Sequence, residues 1–459
     1  MPTFEVQLPL PHRAAEVYAW HSREGALQRL VPPWDGVELV RQSGDFAHRE
    51  VELRVPAGPF ASRWVARHED VIEGEQFVDA MVSGPFASWR HSHLFTADPT
   101  HPGHSILTDR ISWSLPAGSL GQIVAGGQVE RTLTRMFAFR HRRTAVDLMR
   151  HALFADQPRL RVAISGASGL VGRALSAYLT TAGHTVLPLV RRAVARDEAA
   201  IAWDPTAGTV DLDALATVDA VVHLAGENVG ERWTAARKQA IRDSRIHGTR
   251  TLAQALATLR GRPTVLISAS AVGWYGDTGG NVVDEQAPCG DGFLASVCAD
   301  WEAAADAARA AGLRVVHPRL GVVLTSGGGA LAKMLPAFRS GGGGPIGGGK
   351  QGFPWVALDD VLAAIEQMLH DPRLVGPVNV VAPGTLSQGE LACALGEVLH
   401  RPASLPLPAW AVRTLMGEMG TEMLVAGQRV EPRRLQHTGF SFVWPEVRDL
   451  LRFELGMGT

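Results

Sequence analysis

Lysine is nearly absent from this chain: among 459 residues the ammonium side chains are Lys238, Lys333 and Lys350, and the remaining positive charge is arginine. Chemistry that needs a lysine therefore has three candidates. Tyrosine is as scarce, limited to Tyr18, Tyr178 and Tyr275. The three cysteines, Cys289, Cys298 and Cys393, have neither CxxC nor metal-ligand spacing, which excludes a disulfide framework and fits core residues in a reducing cytoplasm. No apolar run reaches the roughly eighteen residues of a membrane helix, and the opening MPTFEVQLPLPHR has no basic lead or apolar core. Secretion and membrane spanning are not expected. A net charge of −2 gives no bulk attraction to nucleic acid or anionic membrane.

A hydrophobic fraction of 46% with 20% charged residues describes an ordinary globular protein, and the length calls for two or three domains. The rest of the chain is organised around LRVAISGASGLVGRALSAYLTTAGHTVLPLVRR, Leu160 to Arg192. An apolar strand turns through Gly166, Gly169 and Gly172 into a helix that stops at Gly183, a C-cap, before a second strand from Thr185 to Val190. Side chains on such a turn would keep the backbone from a pyrophosphate, which sits on free N–H groups at the positive end of the helix dipole. The unit is built for a dinucleotide. Beyond the second strand, where an acid would hold the ribose hydroxyls of NAD, stand Arg191 and Arg192. Two guanidiniums suit a 2′-phosphate, so NADP is favoured over NAD, the alternative being that they are merely solvated at a strand end.

Further strands are expected at Ile201 to Pro205, Asp219 to Gly226 and Thr264 to Ser270, the later two separated by helical stretches, which gives a doubly wound parallel sheet. The elements GASGLVG (Gly166 to Gly172), HLAG (His223 to Gly226), ISASAVGWYGD (Ile267 to Asp277), GDGFLASVCADWE (Gly290 to Glu302) and FPWVALDD (Phe353 to Asp360) resemble the atypical, extended short-chain dehydrogenase/reductases, in their epimerase-like branch. That resemblance implies a Rossmann fold holding its cofactor at Gly166, Ser168, Gly169, Leu170, Val171, Gly172, Arg191, Arg192, Leu224, Ala225 and Gly226. It also implies that Ser270 hydrogen-bonds a substrate oxygen. The family's usual acid/base is the Tyr of a YxxxK pair, and here Phe293 and Val297 stand in that place. None of the three tyrosines has a lysine four residues on. Either another group moves the proton, with Tyr275, Asp284 and Glu285 nearest in sequence, or the site binds nucleotide without turnover.

Before this unit, strand, helices, strand-like segments from Val37 to Ser114 and a helix from about Gly127 to Phe154 follow one another. This order resembles the START-like (SRPBCC) helix-grip fold, an α+β arrangement that implies an apolar cavity between a curved sheet and its last helix. A repeat, GPFAS at Gly58 to Ser62 and at Gly84 to Ser88, marks the start of two strands. Period two puts Trp89, His91 and His93 on one sheet face. No third metal ligand is evident by spacing, His68 being only the nearest candidate, so no metal is assigned and the pair reads as polar lining of a cavity or an exposed face. The arginines Arg131, Arg135, Arg140, Arg142 and Arg143 read as a solvated helix face.

Asp359 or Asp360 is expected to cap a helix from Val361, and Ser387 with Glu390 to form a capping box. The glycine-rich run between Gly327 and Gly352 reads as a mobile loop over the substrate cleft. Three domains are thus expected: 1–154 START-like, 160–384 Rossmann, and 385–459 resembling the small C-terminal domain attached to the epimerase branch. The leading functional reading is an NADP-dependent oxidoreductase or epimerase acting on a small polar substrate, a sugar nucleotide by fold analogy. Its rivals are a non-catalytic NADP-binding sensor or scaffold, and a first domain that carries a hydrophobic ligand to the second.

Overall fold

Every second residue of Thr3–Leu10 is covered, as in a strand with one face on a core, and the same alternation recurs in Ser88–Ala97 and Ser105–Ser114. In the computed structural model, which describes residues 1–57, 60–116, 118–195, 198–261 and 263–457, these segments belong to one seven-stranded antiparallel sheet. Its strands are β1 (Thr3–Leu10), β2 (Glu38–Ser43), β3 (Glu50–Ala57), β4 (Phe60–Ile72), β5 (Gln76–Ser83), β6 (Ser88–Ala97) and β7 (Ser105–Ser114), in the order β1-β7-β6-β5-β4-β3-β2. Gly58 and Pro59 of the first GPFAS repeat lie outside the described residues; β4 begins at Phe60 and β6 at the last residue of the second repeat.

The helical stretch after β1 is two helices, α1 (Ala14–Ser22) and α2 (Ala26–Leu30), parted by Gly25 at φ 92°. The closing helix α3 (Gly118–Ala152) starts well before Gly127 and lays Leu133, Phe137 and Leu148 into clusters with Ile111, Trp113 and Phe95. Its arginines are not uniformly solvated: Arg143 is buried and stacks over Phe139. This is the helix-grip fold.

The second unit, chiefly Gln157–Leu179 with His184–Arg452, is α/β. It contains β8 (Arg161–Ser165), α4 (Leu170–Thr181), β9 (Thr185–Val190), β10 (Ile201–Asp204), β11 (Thr209–Val210), α5 (Leu212–Leu215), β12 (Ala220–His223), α6 (Ala235–Thr258), β13 (Val265–Ser268) and β14 (Ser270–Ala271). Then come β15 (Val282–Val283), α7 (Phe293–Ala303), α8 (Asp306–Ala310), β16 (Arg314–Leu320), β17 (Val322–Thr325), α9 (Gly329–Arg339), β18 (Trp355–Ala357), α10 (Leu358–His370) and β19 (Gly376–Val380). Parallel neighbours β10-β9-β8-β12-β13-β16-β19 form the doubly wound Rossmann sheet. Strands covered on both faces must be apolar throughout, and VVH of β12 and VLIS of β13 are wholly buried. Polar chemistry is thereby pushed to the strand ends.

Three local expectations need correction. Helix α10 starts at Leu358, so Asp359 and Asp360 lie in its first turn rather than capping it; Asp360 instead accepts the Val443 and Trp444 N–H groups at 2.8 and 3.1 Å. The glycine-rich run is laced to 405–407 by Leu407 N to Pro345 O (2.9 Å) and Gly347 N to Leu407 O (2.8 Å). A Cβ on Gly344 would stand 2.1 Å from the Leu405 carbonyl, so close backbone approach accounts for glycine there. Of the cysteines only Cys298 is buried, Cys289 and Cys393 being exposed. The Ser387–Glu390 capping box is present at the start of the helix Gln388–Leu399.

Candidate functional site

At the carboxyl end of β8 the chain turns at Gly166, φ 70°, with the Gly169 N–H donating to the Gly166 carbonyl at 2.9 Å. A Cβ on Gly166 would stand 2.8 Å from the Ala225 nitrogen, and one on Gly172 would stand 2.1 Å from the Gly166 oxygen. Neither position accepts a side chain. Gly169 is less constrained, its Cβ meeting only that oxygen at 3.2 Å. Ser168 and Gly169 are exposed at the mouth of the turn, while Val171 packs on the core and the Leu170 side chain would meet a Cβ on Gly328. The turn and the Leu224–Ala225–Gly226 segment after β12 are thus in backbone contact, forming two walls of one cradle at the N-terminus of α4.

Ser165 fastens those walls. Its Oγ accepts the Leu224 and Ala225 N–H groups at 3.2 and 3.3 Å, so its own proton goes to His223 Nδ1 at 2.6 Å. His223 is fully buried beside Trp203, and burial, followed by the nearby Arg245, lowers its pKa to about 4. The ring is neutral. Arg245 also closes on Gly226, where a Cβ would lie 3.3 Å from the guanidinium carbon.

Arg191 and Arg192 follow β9, next to β8, and both are exposed. They are not equivalent. Arg192 makes a two-pronged ion pair with Glu198, whereas Arg191 has no charged partner among the described residues. The residues present fit a dinucleotide: a side-chain-free cradle, a helix N-terminus, and after β9 a guanidinium, Arg191, with no charged partner among the described residues.

Ser270 and Tyr275 belong to one buried network but do not touch. The Ser270 hydroxyl donates to Glu302 Oε1 at 2.7 Å; Glu302 is gripped by Arg319 through Nε (2.8 Å) and Nη2 (2.9 Å). Arg319 Nη1 donates to the Tyr275 oxygen at 3.0 Å, and the Tyr275 hydroxyl donates to Asn379 Oδ1 at 2.7 Å. Burial raises the Tyr275 pKa against the pull of Arg319, and the ring is only 4% exposed. The carboxylates proposed as alternative donors are structural. Asp284 is held as an anion first by the Gln286 N–H and also by Arg433, which lowers its pKa, opposite to what a proton donor needs. Buried Glu285 accepts the Asn379 and Arg434 N–H groups at 3.0 and 3.1 Å. Sequence reasoning missed Glu302, Arg319 and Asn379. A signal existed for Arg319, a cation inside the otherwise buried strand RVVHPRL.

Phe293 and Val297 lie on α7, Val297 buried and Phe293 facing a cleft of about 630 Å³ with Trp233, Lys238, Arg242 and Glu418. Lys238 reaches over the Phe293 ring, 4.6 Å from its centre, and pairs with Glu418 at 2.7 Å. A lysine is therefore beside Phe293, where the resemblance expects the tyrosine, but from α6, where no spacing within α7 could reveal it. Glu422 caps α7, accepting the Phe293 and Leu294 N–H groups at 2.8 and 2.9 Å.

Residues 162–381 match the NAD dependent epimerase/dehydratase family, 10–140 the polyketide cyclase/dehydrase and lipid transport family, and 407–454 a domain of unknown function, DUF1731. An epimerase family protein of Mycobacterium bovis is 46% identical over 282 residues, 61% of this chain and 93% of the relative. The human epimerase family protein SDR39U1 is 36% identical over 299 residues, 64% of this chain and 99% of its own. Among solved structures, a nucleoside-diphosphate sugar epimerase of Corynebacterium glutamicum superposes with a TM-score of 0.81 at 34% identity, covering 99% of this chain and 90% of that one. Human SDR39U1 solved with NADPH superposes with a TM-score of 0.57 at 34% identity, over 64% of this chain and 99% of that one.

Proposed function

The chain belongs to the epimerase family, and on that premise we propose that it is an NADP-dependent oxidoreductase or epimerase acting on a small polar substrate of the nucleoside-diphosphate sugar class. The observation that carries this reading is the cradle: Gly166 and Gly172 cannot accept a Cβ, and Leu224 to Gly226 form its second wall. Ser168, Gly169, Leu170 and Val171 complete the turn, and Arg191 supplies the 2′-phosphate contact, with Arg192 released from Glu198 only at a cost. The human relative was solved with NADPH, which supports NADP over NAD. The chemistry such a cofactor supplies is reversible hydride transfer.

The rest falls to the chain's own residues. Ser270 holds a substrate oxygen, and a proton leaving that oxygen passes through the serine hydroxyl to Glu302, kept in place by Arg319. Tyr275 anchors Arg319 and Asn379 rather than meeting substrate. Lys238 and Arg242 at the Phe293 cleft offer cations to a diphosphate. The sensor reading is not favoured by this family membership.

The test is incubation of the purified chain with NADP⁺ and a panel of nucleoside-diphosphate sugars, following nicotinamide absorbance and, by NMR, configuration at each sugar carbon. Nicotinamide reduction or an inverted carbon is expected with at least one sugar, and its loss in Glu302→Gln. A chain that binds NADP⁺ yet leaves every sugar unchanged returns the sensor reading to first place.

A further inference from the structure

The structure assigns a divalent transition-metal site to the interior of the helix-grip unit, with Asp79, His91 and His93 as ligands. These residues come from neighbouring strands and meet because of register. Asp79 on β5 stands directly opposite His91 on β6 and, on its other side, opposite His68 on β4. His93, two residues along β6 on the same face, stands opposite Asp109 on β7. Opposed residues in an antiparallel pair have Cβ atoms about 5 Å apart, so a patch of four strands presents three imidazoles and two carboxylates to one point. His141 of α3 adds a sixth group from above, its Nε2 2.9 Å from Asp109 Oδ2. One ligand atom each from Asp79, His91 and His93 falls within 4.8 Å of the others, in keeping with the edges of about 3.3 Å of a tetrahedron with bonds of about 2.05 Å after modest tightening.

Tautomers argue for a cation between these groups. His91 Nε2 gives its proton to Asp109 Oδ1 at 2.9 Å, whereas His93 Nδ1 lies 2.8 Å from the same oxygen without making a hydrogen bond, and His93 Nε2 bonds Asp79 Oδ2 at 3.3 Å. That leaves lone pairs on His91 Nδ1 and on His93 Nδ1, the latter set against Asp109 Oδ1. His68 repeats the pattern: its Nδ1 meets the Phe46 carbonyl at 2.7 Å and must carry the proton, since a carbonyl cannot donate. Its Nε2 lone pair then faces Asp79 Oδ1 at 3.2 Å. Lone pairs of His68 and His93 thus face carboxylates, Asp79 and Asp109, that have only lone pairs to offer. Either added protons or one dication resolves the repulsion, and a ring that donates one nitrogen's proton to a carboxylate or carbonyl while aiming the other inward is the outer arrangement of metal-binding histidines.

Packing fixes these orientations. Phe77 stacks on His93 at 4.2 Å, and the edges of Phe46 and Phe137 hold His68 and His91. The imidazoles and Asp109 are nearly sealed, with side chains 5%, 6% and 4% exposed for His91, His93 and Asp109, whereas Asp79 retains 32%. Two histidines and one carboxylate leave a position open on that accessible side, where an oxygen of a small ligand would complete the sphere. A second trio, Asp98, His101 and His104, also has ligand atoms within 4.8 Å, but its histidines are exposed and Asp98 is spent on the Thr100 turn. It serves as the control.

The experiment uses the full chain, stripped with chelator, loaded with Zn²⁺ or Co²⁺ alone, and dialysed. One retained equivalent per chain is expected, with Co²⁺ giving the absorption of a low-coordinate nitrogen–oxygen site. His91→Gln and His93→Gln should abolish retention, and Asp109→Asn should weaken affinity about 10–100-fold by loosening the His91 ring, while His101→Gln should change nothing. No retention by the parent chain, retention unchanged in the His91 and His93 variants, or loss in His101→Gln would each overturn the assignment. Should a ligand variant fail to fold, the parent stoichiometry and the Asp109→Asn affinity decide.

Discussion

The two units keep their charged groups in opposite places. In β8, β12 and β13 of the Rossmann unit the middles of the strands are apolar and buried, and the polar cradle sits at their ends, around Gly166 and Leu224 to Gly226. In the helix-grip unit the polar groups sit mid-strand on the inner face, with Asp109 3% and His93 5% exposed. The cause is topology. Helices cover both faces of a parallel sheet, so any polar group within it must find a partner inside a layer of aliphatic side chains, whereas the strand ends open to water and ligand. An antiparallel sheet wrapped on one helix has a single inner face, and there polar side chains from adjacent strands satisfy one another by register. A site at strand ends is made of loop backbone; a site at mid-strand is made of side chains alone. The two should therefore fail differently.

The largest effect belongs to the backbone site. Gly172→Val would put its Cβ at the Gly166 oxygen, so NADPH binding should vanish in calorimetry while metal retention by the other unit persists. Loss of both together would mean that the sites are not separate. The mid-strand cluster should instead answer to charge. Asp109→Ala leaves three imidazole contacts without their carboxylate and is expected to cost about 3–5 kcal/mol in urea unfolding with chelator present. A cost below about 1 kcal/mol would show the cluster to be loosely hydrated.

Acid tests the backbone site on a finer scale. His223, with its folded pKa at about 4 and an ordinary value of 6.5, resists protonation when folded. The unfolded chain binds the extra proton, so the stabilisation is complete above pH 6.5 and is lost as pH falls toward 4, a change of about 3 kcal/mol. Because the neutral ring receives the Ser165 proton, NADPH affinity should hold through that window and fall only as pH drops through about 4, and His223→Asn should remove that fall. An unchanged profile in that variant would assign the acid response elsewhere. Smaller again, Arg191→Ala should weaken NADP binding by about 1.5–3 kcal/mol with little change for NAD, and Arg192→Ala should do less because Glu198 already holds that guanidinium. Equal loss of both cofactors would remove the case for a 2′-phosphate contact.

The same contrast governs what could be read from the residues. The cradle was legible because its parts are contiguous: a glycine turn between a strand and a helix is a local pattern, and Gly183 ends α4 as its position foretells. The helix-grip fold was legible from element order, and the shared face of His91 and His93 from period two. Which strand lies beside which was not. Asp79 and Asp109 are separated from His91 by 12 and 18 residues, and only the pairing of β5, β6 and β7 makes them neighbours. The histidine pair was thus read as polar lining, but the carboxylates that face it were not foreseen. Lys238 beside Phe293 escaped for the same reason, since it arrives from another helix.

Tyr275 tests the limit of such reading. Sequence places it five residues after Ser270, where a phenol would stand in for the missing YxxxK tyrosine, and adjacency alone cannot tell an acid from an anchor. Its surroundings can: the oxygen accepts from Arg319, the proton goes to Asn379, and the group is buried with a raised pKa. On the proposed reading that proton stays with the amide oxygen. Tyr275→Phe should therefore cost about 1–2 kcal/mol of stability, through an unpaired Arg319 N–H and Asn379 oxygen, and leave kcat within about threefold with the responsive sugar nucleotide. Were the phenol the acid or base, kcat would instead fall about 10²–10⁴-fold at unchanged NADP affinity. Glu302→Gln distinguishes the two: if proton transfer runs from Ser270 to Glu302, that single exchange removes turnover while Tyr275→Phe keeps it, and the reverse outcome would move the chemistry back to the tyrosine.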